Sequence, residues 1–201
     1  MKQFVIALYI LIGSTIVNAQ TVKENLFYLD AGGSVGNYIG GDLAANYIHN
    51  QKISFQFSFS HFERKDPSRP DDYSGGLSSI VSLGANTPKD ELKSYSILGG
   101  FILPYKGSEK GRWNLRAGLA YSEFKEAYAY NIIDDAVSSE FFIGNYSYKK
   151  RHSEMLSIVF KPELEIAFSK YVGIGLSAFI VLNEKTTVFG LGINLKLGVL
   201  K

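Results

Sequence analysis

Apolar and polar residues alternate along most of the chain with a period of two, the periodicity of a β-strand whose two faces meet different surroundings. In residues 53–60 the odd positions are Ile, Phe, Phe and Phe, and the even positions are Ser, Gln, Ser and Ser. Residues 113–121 repeat this pattern, with Trp113 and Leu115 alternating with Asn114 and Arg116. The alternation predicts eight strands, at residues 26–36, 41–49, 53–63, 93–104, 113–124, 155–168, 171–182 and 186–199.

The lengths of the strands and of their connections carry a second pattern. Most predicted strands have 9–14 residues, longer than the usual strand of about 5–6 residues and sufficient for a tilted crossing of a hydrocarbon layer. The two long connections, at 64–92 and 125–154, follow the third and fifth strands, so both lie at one end of the sheet. The pattern therefore predicts an all-β chain that forms an eight-stranded, antiparallel, up-and-down transmembrane β-barrel.

The first residues differ from the remainder of the chain. Lys2 precedes the apolar run 4–12, and small or aliphatic residues lie at Val17 and Ala19. This arrangement predicts a signal peptide at 1–19 and a barrel domain at 20–201. After Gln20 no apolar, uncharged stretch reaches the roughly 18 residues of a membrane-spanning helix, so a spanning chain would need a closed barrel.

Composition narrows the function classes. The sequence has no Cys, which excludes disulfides, thiolate metal sites and a Cys nucleophile. Its 21 Lys and Arg against 19 Asp and Glu give a net charge of +2, so no electrostatic argument favours nucleic acid. Hydrophobic residues make up 46% and aromatic residues 14%.

Aromatic residues cluster near the strand ends, as in the girdles of membrane barrels. The predicted girdle at the end with short turns comprises Tyr28, Tyr47, Tyr95, Tyr105, Trp113, Phe168 and Tyr171, and the one at the other end comprises Tyr38, Phe62, Tyr121 and Phe124. The alternative is that these rings form the core of a soluble β-protein.

With its alternating strands, and with glycines such as Gly99, Gly100, Gly173, Gly175 and Gly190, the chain resembles the small outer-membrane β-barrel proteins of the OmpA, OmpX and OmpW type. The resemblance covers about residues 26–199 and implies an outer-membrane location in a diderm bacterium. It also implies assembly by the barrel-insertion machinery. One departure is the C-terminus, where the last aromatic residue is Phe189.

Strand alternation also predicts which polar side chains point into the lumen. The inward set includes Asp30, Gln56, Arg116, Lys161, Glu163, Glu165, Asn194 and Lys196. Because buried charges are costly unless they are paired, we expect Asp30, Arg116, Lys161, Glu163, Glu165 and Lys196 to form a polar network that fills the lumen. A polar conduction path is the alternative.

The long loops are the candidate recognition surface, since loops on rigid scaffolds often carry binding residues. The candidate contact residues in the second loop are Tyr128, Tyr130, Phe141, Phe142, Tyr146, Tyr148, Lys149, Lys150 and Arg151. The basic run could meet lipopolysaccharide phosphates. Alternatively, the tyrosines merely extend the fifth and sixth strands above the membrane. In the first loop Asp66, Asp71 and Asp72 could bind Ca²⁺, but their spacing is not that of an EF-hand.

The histidines give only a weak catalytic signal. His61 and Glu63 share a face, as a catalytic base and its orienting carboxylate would, but no Ser partner can be assigned and Ser60 points to the opposite face. His49 and His152 show no recurring metal-ligand spacing. We therefore expect no enzymatic activity, no metal and no cofactor.

These observations favour a non-enzymatic, monomeric outer-membrane barrel with a structural or adhesive role. Its expected partners are outer-membrane lipid, lipopolysaccharide and an unidentified extracellular ligand. One alternative is a narrow channel or carrier for small solutes or small hydrophobic molecules on the same barrel. Another is a soluble exported lipocalin-like barrel, whose faces would be inverted.

Overall fold

Eight antiparallel strands close into one barrel, in which each strand pairs with its neighbour in sequence and β1 pairs with β8. A computed structural model describes residues 25–81, 87–105, 111–133 and 144–201. The strands are β1 Leu26–Gly36, β2 Ile39–His49, β3 Ile53–Lys65, β4 Lys89–Pro104, β5 Gly111–Ile132, β6 Tyr146–Ala167, β7 Val172–Leu182 and β8 Thr187–Gly198. The predicted fold class and strand order are confirmed. The predicted signal peptide, 1–19, lies outside the described residues.

The alternation of the sequence appears as two different barrel surfaces. The outward face of the strands is apolar and exposed, as at Leu29 (54% exposed), Phe57 (56%) and Leu195 (53%). The inward face is buried and largely polar, and it includes the 0% exposed Arg116 and Glu163. An apolar exterior around a polar interior is the arrangement of a barrel in lipid and the reverse of a soluble lipocalin.

The two ends of the barrel differ in their connections. At the end that carries both barrel termini, which we call the turn end, His49 accepts a 3.0 Å backbone hydrogen bond from Lys52. Asn50 and Gln51 within this turn have φ of 51° and 53°, the left-handed pair of a type I′ hairpin. The opposite end, the loop end, carries the β3–β4 connection, whose short helix α1 spans Gly76–Val81. No helix among the described residues is long and apolar enough to span a membrane.

The predicted loop 125–154 is largely strand. β5 and β6 have 22 residues each, whereas β1, β2 and β7 have 11. Their paired segments 126–132 and 146–151, which we call the β5–β6 extension, continue beyond Lys125, the last residue of β5 that pairs with β4. β4 likewise begins at Lys89 rather than at the predicted residue 93. These segments are rich in polar residues and lack a regular alternation of apolar and polar positions, so the sequence did not predict them as strands.

The predicted aromatic girdles need correction. Tyr28, Tyr38, Phe62 and Phe124 point into the lumen and are at most 4% exposed. Tyr95 pairs with Tyr121 and contacts Phe59, so it lies at the loop end and not at the turn end. Of the predicted girdle at the turn end, Tyr47, Tyr105, Trp113, Phe168 and Tyr171 are outward and exposed.

Candidate functional site

A cluster of charges fills the turn-end half of the lumen. Arg116 on β5 donates to Glu163 Oε2 at 2.7 Å and to Glu165 Oε1 at 2.9 Å, both on β6. Lys196 Nζ on β8 lies 2.9 Å from Glu163 Oε1 and 3.2 Å from Asp30 Oδ2. Strand register explains the second contact, because Asp30 and Lys196 are direct partners across β1 and β8. The structure thus brings these five predicted residues together.

Tyr28 and Arg112 also contact this cluster, although they were not predicted to belong to it. Tyr28 donates to Glu165 Oε1 at 2.6 Å, and Arg112 donates from Nε to Glu165 Oε2 at 2.6 Å. Arg112 precedes Asn114 and Arg116 at the same strand parity, so the alternation of β5 was sufficient to place it inward. Tyr28 lies two residues before Asp30 and therefore points to the same, inward face of β1. This position is inconsistent with the prediction that Tyr28 belongs to an outward girdle.

The sixth predicted residue, Lys161, lies apart from the cluster. It is the register partner of Arg116, which places two cations opposite one another on β5 and β6. The two side chains point in different directions, because Arg116 turns to Glu163 and Glu165 whereas Lys161 donates to Asp42 on β2. Asp42 was not predicted, although it shares the inward parity of the buried Asn46.

The lumen charges balance. The four cations Arg112, Arg116, Lys161 and Lys196 face the four carboxylates Asp30, Asp42, Glu163 and Glu165. The space is filled as well, because a Cβ at Gly175 would lie 2.1 Å from Glu163 Oε1 and 2.7 Å from Lys196 Cε. The charged part of the lumen is therefore neutral and closely packed.

Apolar layers close the lumen on both sides of the charges. At the turn end, Leu26, Ile48, Ala167 and Leu200 form a buried cluster, and Leu200 O accepts from Arg112 at 3.1 Å. At the loop end the buried apolar residues are Tyr38, Phe62, Leu92, Leu98, Ala120, Phe124, Met155, Val159, Phe179, Val181 and Val188. The buried hydroxyls of Ser58, Ser94, Ser96, Ser122 and Ser157 lie among them and bond to one another. The cavity beneath this layer measures about 20 Å³, space for roughly one water molecule.

A cluster of tyrosines lies on the outward face of the β5–β6 extension. Tyr130 on β5 contacts Tyr146 and Tyr148 on β6, with ring centroids 6.4 Å and 5.9 Å away. Tyr73 from the β3–β4 connection stacks on Tyr146 at 6.3 Å and meets Tyr130 edge-on. We call these four residues the tyrosine cluster. It joins a loop and a hairpin that are distant in sequence.

Hydrogen bonds to carboxylates and backbone hold the loop against this cluster. Tyr130 donates to Asp66, and Tyr146 donates to Asp72 Oδ1 at 2.9 Å. Asn145 Oδ1 accepts from the Ser74 backbone N–H at 2.7 Å. Burial, and then the bond to Asp66, raise the pKa of Tyr130 above its usual value, so its phenol stays protonated and continues to donate. We call this set of contacts the loop latch.

A β-bulge decides that Tyr130 faces outward. Tyr128 pairs with Lys149 and Asn131 pairs with Ser147, so β5 contains one residue more than β6 between these pairs. Ala129 in this interval has φ of 53°. Because side chains alternate with a period of two, the extra residue moves Tyr130 to the face opposite Tyr128.

The other predicted contact residues of the second loop lie outside the tyrosine cluster. Tyr128 lies beneath the Arg151 guanidinium, 4.6 Å from its ring centroid, and Arg151 pairs with Glu126 at 3.2 Å. Lys149 and Lys150 are exposed on β6. The extended strands agree with the alternative in which tyrosines lengthen β5 and β6. Phe141 and Phe142 lie outside the described residues.

Among the described residues, His61 and the loop aspartates contact other side chains than the weaker sequence signals suggested. His61 Nε2 lies 3.3 Å from Glu63 Oε1, but its register partners are Gly41 and Lys93, neither of which carries a hydroxyl. Asp66 already accepts from Ser68 and Tyr130. The described part of the chain contains no group of three or more His, Cys, Asp or Glu side chains suited to a metal ion.

Comparison with solved structures supports the barrel architecture. A major outer membrane protein from Thermus thermophilus is similar with a TM-score of 0.57 and 11% identity, over 87% of this chain and 99% of that one. The barrel domain of Pseudomonas aeruginosa OprF gives 0.51 and 12%, over 87% and 98%. Neisserial surface protein A gives 0.52 and 11%, over 86% and 95%. The chain therefore has the fold of small eight-stranded outer-membrane β-barrel proteins. No protein-family model matches the sequence, and no curated protein matches it.

Proposed function

We propose that this protein is a non-enzymatic, monomeric integral protein of the outer membrane of a diderm bacterium. In this proposal it presents the β5–β6 extension and the latched β3–β4 connection as an extracellular recognition surface. The turn end then faces the periplasm and the loop end the exterior. The observation that carries the proposal is the tyrosine cluster, which fixes a loop against a hairpin that projects beyond a closed barrel. Rigid presentation lowers the entropy lost on binding a partner.

The closed lumen argues against the channel alternative. Two apolar layers and a balanced charge network lie in series along the barrel axis. A conducting path would have to desolvate an ion in the apolar layers, which is costly. The polar network therefore serves as a structural filling in this proposal. Its lipid partners are those of any outer-membrane barrel, and it requires no cofactor.

An adhesion assay with a shortened hairpin tests the proposal. Ala127 and Lys150 are register partners, so an Asn-Gly turn could replace residues 128–149 and leave the barrel strands paired. We expect cells that display this variant to lose surface adhesion and cell–cell aggregation, whereas the barrel keeps its shift in apparent mass on heating. Replacing the β7–β8 turn, 183–186, at the same end is the matched control and should leave adhesion unchanged. Undiminished adhesion with the shortened hairpin would overturn the recognition role.

A further inference from the structure

The tyrosine cluster brings the rings of two separate chain segments into contact at the surface of the loop end. All four of its tyrosines are partly exposed. The ring of Tyr73, in the β3–β4 connection, lies almost parallel to that of Tyr146 on β6, with an interplanar angle of 20° and 6.3 Å between the centroids. Because carbon atoms in contact lie about 3.5–4.0 Å apart, parallel rings at this separation meet at their edges rather than face to face.

Both tyrosines that Tyr73 contacts donate their phenol protons to carboxylates. Tyr146 donates to the two oxygens of Asp72 at 2.9 Å and 3.0 Å, and Tyr130 donates to Asp66. A phenol that gives up an electron becomes strongly acidic, so its oxidation is favoured where a base already holds the phenolic hydrogen. These two phenols are therefore easier to oxidise than a phenol that donates to water.

The lumen contains the same phenol–carboxylate pair in surroundings that do not permit this chemistry. Tyr28 donates to Glu165, but it is 0% exposed. Among the described residues its ring lies against the cations of Arg112 and Lys196 and not against a second phenol. Access to an external oxidant, a carboxylate acceptor and a second phenol in ring contact thus come together in the tyrosine cluster.

We propose that the tyrosine cluster is a site of oxidative cross-linking, at which a carbon–carbon bond forms between the rings of Tyr73 and Tyr146. A one-electron oxidant from outside the cell, of the kind that a peroxidase forms from hydrogen peroxide, removes one electron from each phenol. The proton of Tyr146 passes to Asp72, and that of Tyr73 passes to water. The two phenoxyl radicals couple at ring carbons next to the carbons that bear oxygen, and the hydrogens of the coupled carbons move to the phenolic oxygens. The two electrons and two protons released reduce one hydrogen peroxide to two water molecules.

The bond joins the β3–β4 connection covalently to β6. The loop latch then no longer depends on its hydrogen bonds, so the cross-linked protein keeps the connection in place under conditions that break them. The proposal rests on the geometry of the latch and not on the recognition role above, so each can fail without the other.

Peroxidase treatment of the purified barrel in mild detergent tests this site. Trypsin releases Tyr73 in peptide 66–89, where it is the single tyrosine, and Tyr146 in peptide 126–149. Mass spectrometry then identifies the bond as a joined pair of these peptides that is two hydrogen atoms lighter than their sum. We expect the wild type to form this pair within the monomer and to gain dityrosine fluorescence.

Three variants locate the bond and its proton acceptor. Tyr73→Phe should abolish the joined pair. Tyr146→Phe should lower its yield about tenfold, and Asp72→Asn should slow its formation about tenfold, because asparagine still accepts the hydrogen bond but is not a base.

Tyr128→Phe is the matched control. Tyr128 lies in the same tryptic peptide and is also partly exposed, but it is outside the tyrosine cluster. This variant should form the joined pair at the wild-type yield, and a heat-dependent gel shift should show that every variant is folded. A treated wild type without joined peptides would overturn the proposal, as would an undiminished yield in Tyr146→Phe or a joined pair found only in a dimer. Formation at the wild-type rate in Asp72→Asn would overturn the role of the carboxylate.

Discussion

Two phenol–carboxylate contacts, one in the lumen and one in the extension, show different ways of satisfying a buried polar group. Tyr28 donates to Glu165 within a lumen where both residues are inward by strand parity. Tyr130 donates to Asp66, but it reaches the correct face only through a bulge, and its partner comes from a separate loop. The lumen contact needs only the inward parity of both residues and closure of the barrel, whereas the extension contact depends on a local irregularity and on a separate loop.

This difference predicts different sensitivity to mutation. In the lumen cluster around Arg116, Arg116 and Lys196 each contact more than one buried carboxylate, so one deletion leaves several partners unpaired. In the extension an ion pair such as Arg151–Glu126 is partly solvated, with Arg151 52% exposed. Exposed pairs contribute about 0–1 kcal/mol to stability, whereas breaking a buried pair costs about 3–5 kcal/mol.

The largest effect should come from Arg116→Ala. This change leaves Glu163 and Glu165 with fewer cations in a closed lumen, and we expect it to lower the free energy of unfolding by about 3–5 kcal/mol. Urea titrations of the barrel in detergent or vesicles measure this change. The control Arg151→Ala should cost no more than about 1 kcal/mol. Equal costs for the two variants, or steady conductance of Arg116→Ala in planar bilayers without a loss of stability, would contradict the structural role of the network.

A smaller and local effect should follow insertion of one alanine between Tyr148 and Lys149. The insertion supplies the residue that β6 lacks opposite the bulge, so the strands pair regularly, Tyr130 moves to the face of Tyr128, and the phenol leaves both Asp66 and Tyr73. We expect residues 66–81 to become accessible to protease while the barrel remains folded. Ala129→Gly is the matched control, because glycine adopts positive φ readily and keeps the bulge. Protection of the loop in the insertion variant would show that the bulge does not position the latch.

The smallest effect concerns the ionisation of Tyr130. Burial and the bond to Asp66 raise the pKa of this phenol in the folded state above the ordinary value of about 10. The contribution of this hydrogen bond to the stability of the folded state is therefore fully present below about pH 10, and it is lost as the pH rises through the folded-state pKa of Tyr130. The tyrosinate absorbance of the wild type minus that of Tyr130→Phe isolates this group. A difference curve with its midpoint near pH 10 would remove the basis for this prediction.

Much of the lumen was predictable because alternation and burial coincide in a barrel wall. Asp30, Arg116, Glu163, Glu165 and Lys196 were placed together from their parity on neighbouring strands. The pairing of Lys161 with Asp42 was not predictable. The position of a residue along a strand gives the face to which its side chain points, but not the direction in which a long side chain extends within the lumen. Asp42 attracts Lys161 from across the lumen, and that distance depends on barrel closure.

The extension was less predictable for a different reason. Tyr130, Tyr146 and Tyr148 were recognised as a candidate surface, but their common face required the bulge at Ala129. Alanine has little tendency to signal a left-handed conformation, so nothing in the sequence marked the irregularity. Tyr73 and Asp72 belong to another loop, and their contact with β6 is decided by packing.

By itself, the sequence determined the strand number, the strand order and the inward or outward face of most residues in the predicted strands. These follow from a period of two, which local backbone geometry enforces. The tertiary structure alone decided which lumen charges meet, how far β5 and β6 extend, and which loop is held against them. Such contacts depend on closure of the barrel, on strand register and on the one extra residue of the bulge. None of these produces a periodic pattern in the sequence.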